Sequence, residues 1–156
     1  MGMWHRVSGA LRGSRVLVYC DGSGEARVGK PGGWAFIVVK DDQQLVSGSG
    51  ASASTTSLVM ELEAALAGLR AVSARGWHGV EVISDSSIAL DIAAGKFLPK
   101  RHGALALELR AAAVEAKATT RWVRAHSGHR WNEAVDALAR KAKELPLSAP
   151  AGRALG

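Results

Sequence analysis

Four acidic residues of this chain have the types and spacing to do chemistry together: Asp21, Glu61, Asp85 and Asp136. Three of them stand in short, telling contexts, Tyr19-Cys20-Asp21-Gly22-Ser23, Met60-Glu61-Leu62 and Ile83-Ser84-Asp85-Ser86. Carboxylates brought close together repel, and each disfavours the ionised form of its neighbours. Hard divalent cations relieve that cost because they bind carboxylate oxygens. The chemistry such a set suits is hydrolysis assisted by two metal ions. The set is the more telling because the chain as a whole is basic, with a formal net charge of +6.

Each carboxylate also has a plainer reading. Asp21 precedes Gly22 at a strand end, where it either meets a ligand or forms an Asx-turn. At about 100° per residue, Glu61 borders the helical arc of Leu58, Ala65, Leu69 and Val72, where it either needs a partner or is an ordinary semi-exposed helix glutamate, whereas Glu63 falls on the far side with Arg70 as a solvated residue. Asp85 sits between a strand and a helix, where Asp85 or Ser84 could simply cap that helix. Asp136 lies off the apolar stripe of Trp131, Val135, Leu138 and Ala142, on a face shared with Asn132 and Arg140. There an i,i+4 ion pair with Arg140 would account for it.

His126, in Arg124-Ala125-His126-Ser127-Gly128-His129, follows a strand and could move protons near neutral pH. A zinc site using His126 and His129 lacks further ligands at zinc spacing, since the single cysteine, Cys20, is far away in sequence. Residues 24–30 imitate a phosphate-binding loop, but Pro31 stands where a hydroxyl is needed and a strand rather than a helix follows.

The elements that must position these residues can be read from periodicity. Residues 15–20 form a short continuous apolar run, the pattern of a strand buried on both faces. A glycine-rich turn spans 22–33, and strands follow at 34–40 and 45–53 with a hairpin turn at Asp41-Asp42-Gln43. Ser54, Thr55, Thr56 and Ser57 offer N-caps for a helix over 58–75, with Leu58, Leu62, Ala65, Leu66, Leu69 and Val72 as its core stripe. A strand at 80–84, a short helix at 86–94 and a basic connection at 96–102 come next. A helix at 104–117, a strand at 119–125, a loop at 126–130 and a helix at 131–144 complete the order. The first three strands should be antiparallel and the later two parallel to the first.

With 156 residues, the chain suits one domain, expected over 15–144 between a flexible leader, 1–14, and a flexible tail, 145–156. The apolar content of 47% is that of a globular protein. No run approaches a membrane span of about 20 apolar residues, and residues 1–14 lack the apolar core of a secretory signal. One cysteine cannot form an internal disulfide and fits a reducing cytoplasm, with Cys20 a buried core residue. The basic balance favours polyanionic partners.

Taken together, these pieces resemble a type 1 ribonuclease H over about residues 15–144. The resemblance is carried by Tyr-Cys-Asp-Gly-Ser at 19–23, Gly-Gly-Trp-Ala at 32–35, Thr-Thr-Ser-Leu-Val-Met-Glu-Leu at 55–62 and Ser-Asp-Ser at 84–86. Trp-Val-Arg-Ala-His-Ser-Gly-His at 122–129, Asn132-Glu133 and Asp-Ala-Leu-Ala at 136–139 complete it, all in family order. It implies an α/β ribonuclease H-like fold, a mixed five-stranded sheet flanked by helices. Asp21, Glu61, Asp85 and Asp136 would then be the metal-binding carboxylates, and His126 the loop histidine that assists proton transfer or product release.

By the same resemblance the reaction is hydrolysis of the RNA strand of an RNA–DNA hybrid, leaving a 5′-phosphate and a 3′-hydroxyl. Two Mg²⁺ ions serve it, with Mn²⁺ as a substitute. Gly22, Ser23, Thr56, Ser57 and Ser87 fall at substrate-contact positions, and the expected state is a cytoplasmic monomer without a membrane. The chain departs from the family pattern in three places. Ser57 and Leu58 replace two asparagines, Ser87 replaces a glutamine, and the basic handle shrinks to Lys96, Lys100, Arg101 and His102. These changes keep two alternatives in view: a nuclease of the same fold acting on double-stranded RNA or structured DNA, and a non-catalytic nucleic-acid-binding module.

Overall fold

A computed structural model describes residues 15–145; the expected leader, 1–14, and the tail beyond Leu145 lie outside the described residues. The apolar run predicted as a strand is β1, Leu17–Ser23, and it is the middle strand of five. Alternate side chains of a strand point to opposite faces. Val18 and Cys20 therefore enter one core with Phe36, Val38, Leu62 and Leu69. Tyr19 enters the other with Ala35, Ile37, Val39, Val135 and Ala139. Burial on both faces is why the run is continuous rather than alternating, and Cys20 is buried as expected.

The remaining strands are β2, Lys30–Lys40, β3, Gln43–Thr55, β4, Glu81–Ser84, and β5, Thr119–Trp122, in the sheet order β3-β2-β1-β4-β5. β1 pairs antiparallel with β2 and β2 with β3, while β4 runs parallel to β1 and β5 parallel to β4. The expected mixed sheet is thus present. The helices are α1, Ser57–Ala74, α2, Ser87–Ala93, α3, Gly103–Glu115, and α4, Arg130–Glu144. α1 covers one face of β1 and β2 with α3 packed on it; α4 covers the other face. Leu62, Leu69, Ile92 and Leu109 are fully buried, each worth about 1.5–3 kcal/mol of transfer free energy. Among the described residues no helix is long and apolar enough to cross a membrane.

Several boundaries differ from the sequence expectation for physical reasons. The glycine-rich turn is shorter, because β1 runs on to Ser23 and β2 already starts at Lys30. Gly32 and Gly33 belong to the strand: the backbone of α4 presses on Gly33, and Thr55 and Met60 press on Gly32, so neither has room for a Cβ. Pro31 is tolerated at an irregularity in the β2–β3 register. The hairpin turn is two residues, Asp41 and Asp42, both left-handed with φ of 51° and 60°, the conformation of a tight I′ connection. β5 stops at Trp122 rather than at residue 125, and His126 leaves the extended region with φ of 54°. In α1, Leu58 is only half-buried, and Glu63, expected to be solvated, is half-buried near the Arg70–Glu108 ion pair.

Candidate active site

The parallel register of β1 and β4 begins to assemble the site. Tyr19 lies opposite Ile83, and two residues further along each chain come Asp21 and Asp85. Parallel neighbours are about 4.8 Å apart, so the two carboxylates arrive side by side. Glu61, in the second turn of α1, joins them from above. One ligating oxygen each from Asp21, Glu61 and Asp85 can be chosen so that all lie within 4.8 Å of one another.

Each of the three is held. The backbone N–H of Gly22 donates to Glu61 Oε1. A Cβ at Gly22 would stand 2.5 Å from the Glu61 nitrogen and 2.6 Å from the Met60 carbonyl carbon. Glycine is thus what lets α1 come close enough to β1 to deliver Glu61. For Asp85, Ser86 is the residue that caps α2, its Oγ accepting from Ala89 N–H at 3.2 Å. Ser84 Oγ accepts from Ser86 N–H at 3.0 Å. With the capping done by Ser86, the Asp85 carboxylate is free for other work. Asn132 Nδ2 donates to Asp85 Oδ2 at 3.3 Å, and Trp122 Nε1 donates to the Asp85 carbonyl at 3.1 Å.

Asp136, in the second turn of α4, lies outside that group of three. Its Oδ2 pairs with Arg140 one turn on, as the plainer reading expects. Its carboxyl also comes within hydrogen-bonding reach of Asp21, so it borders the cluster rather than facing away. The electrostatic consequence is large. Burial first, then the charge of Glu61, the hydrogen bond with Asp136 and the charge of Asp85 push the Asp21 carboxyl up to about 10. Burial and the charge of Asp85 push Glu61 up to about 7, against the hydrogen bonds from Asp21 and Gly22. The all-oxygen donor set, the crowding of the carboxylates and the buried Asn132 Oδ1, which has no hydrogen-bond partner, all fit hard divalent ions.

The other predicted residues are spread around this centre. Ser23 ends β1 half-buried beside Gly22. Thr56 caps α1, its Oγ1 accepting from Val59 N–H at 3.2 Å. Ser57 N–H donates to the Glu25 carbonyl at 2.7 Å, tying the β1–β2 turn to α1. Ser87 is exposed at the start of α2. His126 is exposed on the β5–α4 loop and is not among the converging ligands. That loop is knitted by Ser127 Oγ donating to the Arg124 carbonyl at 2.7 Å and by Gly128 N–H donating to Glu133 Oε2 at 2.6 Å. No zinc-like group involving His129 occurs among the described residues.

The apolar pattern of the sequence puts Asn132 on the solvated face with Asp136, but only 1% of it is exposed. The buried stripe of α4 is Asn132, Val135, Ala139 and Ala142, spaced three, four and three. The bulkier Trp131 and Leu138 drew the expected stripe one residue aside and are half-buried. The 3-4-3 spacing was the available signal.

Comparison with known proteins gives a consistent result. The family model described as RNase H matches residues 13–144. The ribonuclease H of Phenylobacterium zucineum is 33% identical over 155 residues, covering 90% of this chain and 96% of its own. The N-terminal RNase H domain of rv2228c from Mycobacterium tuberculosis superposes with a TM-score of 0.72 at 24% identity, covering 90% of this chain and 99% of that one. LC11-RNase H1, solved in complex with an RNA/DNA hybrid, gives a TM-score of 0.64 at 20% identity, covering 82% and 99%. The last two likenesses are of fold.

Proposed function

The chain belongs to the ribonuclease H family, and we propose that it is an endonuclease that hydrolyses the RNA strand of RNA–DNA hybrids with the help of Mg²⁺. The observation that carries this reading is the convergence of Asp21, Glu61 and Asp85, with one carboxylate oxygen of each within 4.8 Å of the others, in an environment that penalises the charge of Asp21 and Glu61. A protein that only bound nucleic acid would gain nothing from buried negative charge beside phosphate. That a solved structure of the same fold holds an RNA/DNA hybrid supports the substrate.

In this reading Asp21, Glu61, Asp85 and Asp136 would hold two divalent ions, Mg²⁺ or in its place Mn²⁺, which would supply water activation and charge stabilisation at the departing 3′-oxygen. The protein's own groups set up that chemistry. Gly22 N–H aims Glu61, and Asn132 Nδ2 and the Trp122 indole fix Asp85 at its side chain and its carbonyl. His126, exposed on a loop stiffened by Ser127 and Gly128, is assigned to proton transfer or product release. Gly22, Ser23, Thr56, Ser57 and Ser87 line the approach of the duplex. Exposed Lys96, Lys100 and Arg101 add phosphate attraction that weakens with salt.

A second reading, the same chemistry on another duplex, is favoured by Ser57, Leu58 and Ser87, which lack the amides that the family directs at bases. The test is a strand-labelled comparison of RNA–DNA hybrid, double-stranded RNA and double-stranded DNA. Cleavage confined to the RNA strand of the hybrid supports the first reading. Equal or faster cleavage of another duplex replaces it with the second.

A further inference from the structure

We propose that Asp42, in the turn between β2 and β3, is a positioning residue for the carboxylate cluster, acting through the first turn of α4; this rests on the metal-dependent reading above. The Asp42 carboxylate accepts two hydrogen bonds from consecutive residues of α4. Arg130 Nη1 donates to Oδ2 at 2.6 Å and Trp131 Nε1 donates to Oδ1 at 2.9 Å. The Arg130 guanidinium also lies over the Trp131 ring, 4.4 Å from its centroid. The ring of Tyr19 tilts against Trp131 with centroids 6.5 Å apart, and Tyr19 is two residues before Asp21 on β1. The anchor is stiff: both residues of its turn are left-handed and β-strands leave it on each side, so the Asp42 side chain starts from a fixed backbone.

What is anchored matters for the site. Arg130 and Trp131 are the first two residues of α4, and the third is Asn132, whose amide holds Asp85. The fourth, Glu133, fixes Gly128 in the His126 loop, and Asp136 follows one turn later. Helix starts are ordinarily held by a side-chain cap. At α4 the capping position is His129, and it makes no such bond. Asp42 therefore does from across the sheet what a cap would do from within: it keeps the first turn from fraying, and with it the Asn132–Asp85 contact. Asp42 and Arg130 are largely exposed, and an exposed ion pair adds little to global stability. The signature of the device is local order at the metal site.

The test compares the full chain with Asp42→Ala, Asp42→Asn, Trp131→Phe and the Asp42→Ala/Trp131→Phe double variant. The readouts are calorimetric Mn²⁺ affinity without substrate, Tm, and kcat and KM on a hybrid. Losing one such hydrogen bond corresponds to about 3- to 10-fold, so Asp42→Ala and Trp131→Phe should each weaken Mn²⁺ binding by about that factor. kcat should fall with KM unchanged. The double variant should be no worse than Asp42→Ala, because both changes cut the same tie. Asp42→Asn has one acceptor oxygen where the carboxylate has two, so it should keep one of the two bonds and weaken Mn²⁺ binding less than Asp42→Ala does. Parental Mn²⁺ affinity in Asp42→Ala, or losses that simply add in the double variant, would overturn the proposal. Should Asp42→Ala unfold, Trp131→Phe, which keeps the ring beside Tyr19, decides alone. A parent that binds Mn²⁺ but cuts no hybrid sinks the functional reading and leaves the Mn²⁺ comparison to judge Asp42.

Discussion

The backbone N–H of Gly22 donates to the carboxylate of Glu61 where β1 and α1 come too close for any side chain to stand between them. The absence of a side chain at one position thus sets the reach of a carboxylate 39 residues away. Gly22→Ala would force α1 outward, since the new methyl would meet backbone atoms, which cannot rotate aside. Overpacking of this kind costs about 1–3 kcal/mol. A lowered Tm together with loss of most hybrid cleavage is the expected result. Wild-type activity in Gly22→Ala would mean that Glu61 does not need this approach.

Asn132 tests the support of Asp85. Groups that hold a metal ligand typically matter by about 10–100-fold in affinity or activity. Asn132→Ala should lose activity within that range while staying folded. Asn132→Asp should be less stable than Asn132→Ala in the absence of metal, because it adds another buried negative charge beside Asp85. The checks are kcat in Mg²⁺ for Asn132→Ala and the metal-free Tm of both variants. If Asn132→Ala cleaves as the parent does, the hydrogen bond to Asp85 has no role in the reaction.

The four acids should not be equal. Asp85 belongs to the tight group of three, whereas Asp136 stands outside it and already has Arg140 as a partner. Replacing Asp85 by Asn should abolish measurable cleavage. The same change at Asp136 should leave residual activity that rises with metal concentration. Equal losses in single-turnover assays of the two variants would contradict the ranking.

The raised carboxyls predict how pH and metal interact. Asp21 rises from 3.8 to about 10 and Glu61 from 4.5 to about 7 on folding. Between the unfolded and folded values the native state binds more protons, so stability falls as pH rises through that window. For these two groups the metal-free protein is favoured most below about pH 4 and loses stability toward about pH 7 and beyond. Divalent ions offset that loss, but they must displace the protons first. The increase in Tm produced by Mg²⁺ or Mn²⁺ should therefore be larger at about pH 8.5 than at about pH 6. A metal-induced shift that is the same at both values would show that the carboxyls ionise normally without metal.

What the sequence revealed depended on whether one local rule acted at a time. The β1 run was legible because a strand buried on both faces has a plain pattern, and Asp21 and Asp85 were legible because they follow such strands. Helical angle placed Glu61 only at the border of the core, and its company with the other acids in family order marked it as a ligand candidate. Gly32 and Gly33 read as a turn because their reason for being glycine, the backbone of α4 and the Thr55 and Met60 side chains, comes from 20 or more residues away. Asn132 was lost because a buried polar residue breaks the apolar pattern, and its partner lies 47 residues distant. The tie from Asp42 to Arg130 and Trp131 spans 88 and 89 positions, and no periodicity reports such a contact.

The most direct measurement is cleavage of an RNA–DNA hybrid by the purified full chain in Mg²⁺ and in EDTA, with Asp85→Asn prepared and assayed beside it. The account predicts that the RNA strand is cut in Mg²⁺ to products with 5′-phosphate ends, and that EDTA and Asp85→Asn each abolish the cutting. A folded parent protein that leaves the hybrid intact in Mg²⁺ and Mn²⁺, or an Asp85→Asn protein that cuts as well as the parent, would contradict it.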